Sequence, residues 1–92
     1  MIVCVAVGTR TGLHMRAAVR VADAAAGLDV PVTVRTAGRA AVPADSVLAL
    51  LTLGVAQGTE LQLEACGDGA ASALHHLADL LARDLDSEAG RA

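Results

Sequence analysis

Ninety-two residues carrying a formal charge of −3 leave room for one domain with a modest core, and not for a deep catalytic cavity beside it. The absence of Phe, Tyr and Trp rules out stacking on nucleic-acid bases and aromatic ligand cages. All seven basic residues are arginine and acids outnumber them, which argues against nucleic acid as a partner.

Ile2 to Val7 is rich in β-formers and reads as a first strand, and Gly8 to Gly12 as a polar turn. From Met15 the apolar residues Ala18, Val21, Ala22 and Ala25 recur at helical spacing, with Gly27 placed as the C′ stop. Val30, Val32 and Val34 then alternate as a half-buried strand. Thr36 to Arg39 forms a hairpin turn, Ala40 to Val42 a return strand, and Pro43 ends it at an edge. Asp45 or Ser46 can cap a short helix that runs through Leu53 and closes on Gly54. Thr59 to Ala65 alternates cleanly, with Leu61, Leu63 and Ala65 on one face and Glu60, Gln62 and Glu64 on the other. Asp68 is placed to cap a last helix whose stripe runs Ala70, Leu74, Leu77, Leu81 and Leu85, widened by Ala73, Ala78 and Leu80. Residues 86–92 read as a polar, frayed tail to a single domain spanning 1–92.

The order β-α-β-β-α-β-α, with one apolar face per element, calls for an α+β two-layer fold: helices covering one side of an antiparallel sheet. The apolar run after Met1 is too short to span a bilayer and lacks the form of a signal peptide, so a cytoplasmic protein without membrane insertion is expected. Cys4 and Cys66 lack metal-binding or redox spacing and read as small, reduced core residues.

The stretch Gly12-Leu13-His14-Met15-Arg16-Ala17-Ala18 puts an imidazole where a helix begins and a guanidinium two residues later. Helix N-termini offer unpaired N–H groups and a partial positive charge, a natural seat for phosphate. An imidazole in its neutral form is a nucleophile. On spacing alone a histidine here can equally be a polar capping residue.

Gly12-Leu13-His14-x-Arg16-x-Ala18 resembles the active-site signature of the HPr family, the histidine phosphocarriers of the bacterial phosphotransferase system. A second stretch agrees with that family: Ser46-Val47-Leu48, then Leu51-Thr52-Leu53-Gly54, then Gln57-Gly58. The resemblance runs from Val3 to about Leu85 and implies an open-faced sandwich, a four-stranded antiparallel sheet with three helices on one face.

The resemblance further implies that His14 accepts a phosphoryl group on Nδ1 from Enzyme I, charged by phosphoenolpyruvate, and passes it to enzyme IIA proteins. Arg16 would stabilise the phosphate, with Thr11, Met15 and Ala17 contributing side chain or backbone N–H around the helix start. No cofactor or metal is expected, and the resemblance implies a monomeric carrier rather than an enzyme. One departure stands out: HPr proteins usually have proline after the arginine, where this chain has Ala17, so transfer is expected to be retained at altered rates.

Ser46 matches the serine that a dedicated kinase/phosphorylase modifies in many Gram-positive relatives, although a capping role alone would explain a serine there. Met15, Arg20, Val47, Leu48 and Leu51 form the expected partner surface; the competing reading places Leu48 and Leu51 in the core. The first helix carries Asp23 and no lysine, so electrostatic steering should be weak. His75 and His76 are neighbours that point about 100° apart on a helix, a poor ligand pair and a natural solvated surface. Asp79, Arg83 and Asp84 read as exposed charges, the first two spaced for an i,i+4 pair. Two other roles compete: a regulatory relative acting through partner binding and Ser46, or a carrier in a specialised branch such as a dihydroxyacetone-kinase phosphorelay.

Overall fold

The computed structural model describes residues 1–85; the expected tail at 86–92 lies outside them. Four strands and three helices follow the expected order: β1 (Ile2–Ala6), α1 (Met15–Ala26), β2 (Thr33–Arg35), β3 (Val42–Pro43), α2 (Val47–Thr52), β4 (Glu60–Glu64) and α3 (Ala70–Ala82). The strands form one antiparallel sheet in the order β1-β4-β2-β3. Its centre is β4, whose Leu61 and Leu63 are fully buried while Glu60 and Glu64 face solvent. The helices cover the buried face, with Val21, Leu50, Leu74 and Leu77 reaching zero exposure.

Pro43 closes β3 on the sheet's outer edge, where a missing N–H costs no ladder bond. The Thr36–Arg39 turn forms as expected, with the Arg39 N–H donating to the Thr36 carbonyl and Gly38 at φ 77°. No helix among the described residues is long and apolar enough to cross a membrane.

Several local expectations are corrected. Asp68 does not cap α3: the N-cap is Gly69 at φ 87°, with no side-chain cap bond. The chain enters that helix through left-handed Gly67 and Gly69, which leaves Asp68 one residue too early to reach the first-turn amides. Gly27 does end α1 as expected, one position nearer the helix as its C-cap, in right-handed geometry at φ −85°. The return strand is Val42–Pro43 instead of Ala40–Val42, and regular pairing of the preceding strand starts only at Thr33.

Cys4 and Cys66 are free as expected but exposed, not core. Cys4 shares the outward phase of β1 with Ile2 and Ala6, and Cys66 lies just beyond β4. Leu85 is buried, yet it reaches the core from beyond α3, because Arg83 turns to extended backbone at ψ 153°. Asp84 is partly buried and pairs with Arg10 at 3.3 Å rather than standing as an isolated surface charge.

Candidate functional site

His14 is the N-cap residue of α1, with extended backbone at φ −87°, ψ −178°. Its Nδ1 accepts the backbone N–H of Arg16 at 3.2 Å, while its carbonyl accepts the N–H of Ala18 at 2.8 Å. The ring therefore turns its Nδ1 toward the helix end, where the N–H groups of Met15 and Ala17 have no acceptor one turn back. The capping reading and the nucleophile reading are thus not rivals: the same lone pair that caps the helix lies over its positive end.

The loop before His14 is held by backbone. Gly12 adopts φ +80°, and a Cβ there would stand 2.4 Å from the Val55 carbonyl oxygen, so only glycine allows this approach. The N–H of Leu13 donates to that same carbonyl at 3.1 Å, and the N–H of His14 to the Gly12 carbonyl at 3.0 Å. Buried Leu13 completes the anchor. The imidazole itself is only partly covered, and Arg16 and Thr11 are exposed beside it, so an incoming group has an open approach. Buried Ala17 belongs to the packed side of α1 and offers the site backbone only.

Ser46 caps α2, its Oγ accepting the N–H of Ala49 at 3.1 Å. Of the expected partner surface, Met15 and Leu48 are the prominent members, at 60% and 75% exposure, on two helices that pack together. Val47, Leu51 and Arg20 are half-buried. The competing core assignment fails for Leu48 and holds only in part for Leu51, because Leu50 takes the inward position. Val19, one turn beyond Met15 on the same face of α1, is also exposed and had not been singled out. His75 and His76 are exposed on α3, and among the described residues no three His, Cys, Asp or Glu side chains converge on a metal position.

Sequence reading also missed the groups that secure the loop from behind. Thr9 is buried; its Oγ1 donates to the Arg83 carbonyl at 3.3 Å and accepts the Leu85 N–H at 3.2 Å. The Gln57 side-chain amide donates to the Gly8 carbonyl at 3.1 Å. Both are contacts across more than forty residues of sequence, 74 and 49 respectively, and leave no local pattern to find.

Comparison with known proteins identifies the family and the fold. The family model described as the phosphotransferase-system HPr component phosphorylation site matches residues 3–83. The phosphocarrier protein HPr of Streptomyces coelicolor is 43% identical over 80 residues, covering 87% of this chain and 86% of that protein. The crystal structure of HPr-C-His from Thermoanaerobacter tengcongensis superposes with a TM-score of 0.80 at 31% identity, covering 88% of this chain and 90% of that one. The Bacillus subtilis catabolite repression containing protein Crh, solved as a dimer with a swapped domain, gives 0.69 at 33% identity over 78% of this chain and 82% of its own. With an imidazole on a helix end, an open-faced sandwich around it and a match over most of its length, the chain belongs to the HPr family, the phosphocarriers of the phosphotransferase system.

Proposed function

We propose that the chain takes a phosphoryl group on Nδ1 of His14 from Enzyme I, charged by phosphoenolpyruvate, and hands it to enzyme IIA-type acceptors. The observation that carries this reading is the 3.2 Å contact from the Arg16 N–H to His14 Nδ1, which puts the nucleophilic lone pair over the first turn of α1. In the transfer, that lone pair forms the N–P bond as the phosphorus–donor bond breaks and the donor leaves with its electron pair. The Arg16 N–H, no longer met by Nδ1, turns to a phosphoryl oxygen. The amides of Met15 and Ala17, the Arg16 guanidinium and Thr11 supply further donors.

A phosphoryl group brings roughly −1.5 to −2 charges. A helix end stabilises an anion by only ~0.3–1 kcal/mol when exposed and up to ~2 kcal/mol when partly buried. Modest stabilisation suits a carrier, which must release what it holds. In this reading the protein is a monomeric cytoplasmic carrier forming a transient phosphohistidine, not an enzyme, and 1–92 acts as one domain. Met15, Val47, Leu48 and Leu51, with Arg20 at the rim, form the surface that meets Enzyme I and the acceptors.

A second reading, favoured by the likeness to Crh, is regulatory: partner binding controlled by an HPr kinase/phosphorylase acting on Ser46. The position tolerates that modification, since a dianion at a helix N-cap is favourably placed.

Intact-mass analysis after incubation with phosphoenolpyruvate and the cognate Enzyme I tests the first reading. Wild type is expected to gain one acid-labile phosphoryl group and His14→Ala none. Absence of the gain in wild type, with an Enzyme I shown to be active, would overturn it and leave the regulatory reading, whose mark is an acid-stable group lost in Ser46→Ala.

A further inference from the structure

We infer that the segment following α3 is a clasp on the His14 loop, and that Thr9 is its pin: a positioning residue for phosphoryl transfer. The inference rests on the reading of His14 as the phosphoryl acceptor. Among the described residues Thr9 is the one polar side chain that the fold buries, at 1% exposure. A buried hydroxyl is costly unless both its donor and acceptor roles are met. Here both are met by one partner segment: Oγ1 donates to the Arg83 carbonyl at 3.3 Å and accepts the Leu85 N–H at 3.2 Å.

The residues on either side of Thr9 grip the same segment. The Gly8 N–H donates to the Leu81 carbonyl at 2.9 Å, satisfying one of the carbonyls that the last turn of α3 leaves without a helical partner. Gly8 lies so close that a Cβ on it would stand 1.9 Å from the Ala82 carbonyl oxygen. Arg10 meets Asp84 twice: its backbone N–H reaches Oδ1 at 3.1 Å and its Nη2 reaches Oδ2 at 3.3 Å. Three consecutive residues therefore hold five hydrogen bonds to residues 81–85.

The link onward to the imidazole is short. The Thr9 carbonyl accepts the Gly12 N–H at 2.9 Å, and the Gly12 carbonyl accepts the His14 N–H at 3.0 Å. With Leu13 tied to the Val55 carbonyl, the loop is pinned between α3's end and the turn after α2, and His14 sits where the two constraints meet. Misplacing a reacting atom by about 1 Å can cost of order a hundredfold in rate. A loop freed on one side should therefore transfer more slowly while docking unchanged.

The test compares wild type with Thr9→Val, Thr9→Ser and Asp84→Ala in phosphorylation by Enzyme I and phosphoenolpyruvate. KM, kcat, thermal midpoint and amide exchange at Gly12 and Leu13 are measured on the full chain. Thr9→Val keeps the shape and removes both hydrogen bonds, so kcat should fall about tenfold or more with KM close to wild type. Thr9→Ser, which keeps the hydroxyl, should restore most of kcat; Asp84→Ala, which leaves the core intact, should fall between. Exchange at Gly12 and Leu13 should quicken in Thr9→Val relative to the amides of β4. A lowered midpoint with unchanged kcat and exchange would make Thr9 a packing residue and overturn the inference, as would Thr9→Ser behaving like Thr9→Val. If wild type itself accepts no phosphoryl group, the His14 reading fails. The exchange measurement then decides the clasp alone, with unchanged protection in Thr9→Val overturning it.

Discussion

At the scale of single residues, the site separates the proposed nucleophile, His14, which backbone fixes, from Arg16, a cation exposed to solvent. His14 is held by its own capping bond and by the neighbouring turn, whereas the Arg16 side chain is exposed. In the proposed transfer an exposed guanidinium would contribute through charge-assisted hydrogen bonds formed only once the phosphoryl group arrives, each worth about 1.5–3 kcal/mol net. Arg16→Ala is therefore expected to slow phosphorylation about tenfold, the low end of that range, without moving the thermal midpoint. Arg16→Lys should recover part of the rate, because a lysine supplies the charge and not the planar fork. Stopped-flow transfer from Enzyme I reads both. An Arg16→Ala protein at wild-type rate would overturn the proposed role of the guanidinium and leave the helix-end amides and Thr11 as the donors.

At the scale of elements, α2 divides cap, core and surface among neighbouring residues. Ser46 closes its N-terminus, Leu50 is fully buried, and Leu48 is 75% exposed. Ser46→Ala should cost about 1 kcal/mol, the usual value of a lost N-cap. Leu50→Ala should cost ~2–5 kcal/mol through lost burial and the cavity left behind. Leu48→Ala should leave stability within about ±0.5 kcal/mol and raise the KM for Enzyme I. Denaturant unfolding beside transfer kinetics separates the three; a large stability loss in Leu48→Ala would mark it as core after all. The helix spacing showed that Val47, Leu48 and Leu51 share a side, but not which side faces in. That choice depends on how α2 rests on α1, which no pattern internal to six residues contains. The same limit explains Asp68: a good capping residue stands before α3, and the glycines around it, not its own propensity, decide where the helix begins.

At the scale of the whole molecule, what was legible was whatever repeats locally. The alternation of β4 and the stripes of α1 and α3 revealed the layers, and the His14 and Ser46 stretches revealed the family and the residues that cap α1 and α2. Contacts between distant segments stayed hidden: Thr9 to Arg83, Gln57 to Gly8, and the pairing of Arg10 with Asp84. The charge distribution leads to the last prediction. Beside the site, α1 carries Arg16, a half-buried Arg20 and the opposing Asp23, while α2 carries no charge at all. The proposed partner surface thus offers exposed Met15, Val19 and Leu48 beside only these few charges and the Arg39 guanidinium at the C-terminal end of α2, inside a chain of charge −3. Strong steering raises association rates ten- to a thousandfold and collapses as salt shortens the Debye length from ~30 Å at 0.01 M to ~8 Å at 0.15 M. Docking here should rest on apolar burial, which salt does not screen. Association with Enzyme I, followed by stopped-flow across that range, is expected to change by less than about tenfold. A steeper decline would place the partner's contacts on the arginines of α1 rather than on the apolar pair Met15 and Leu48.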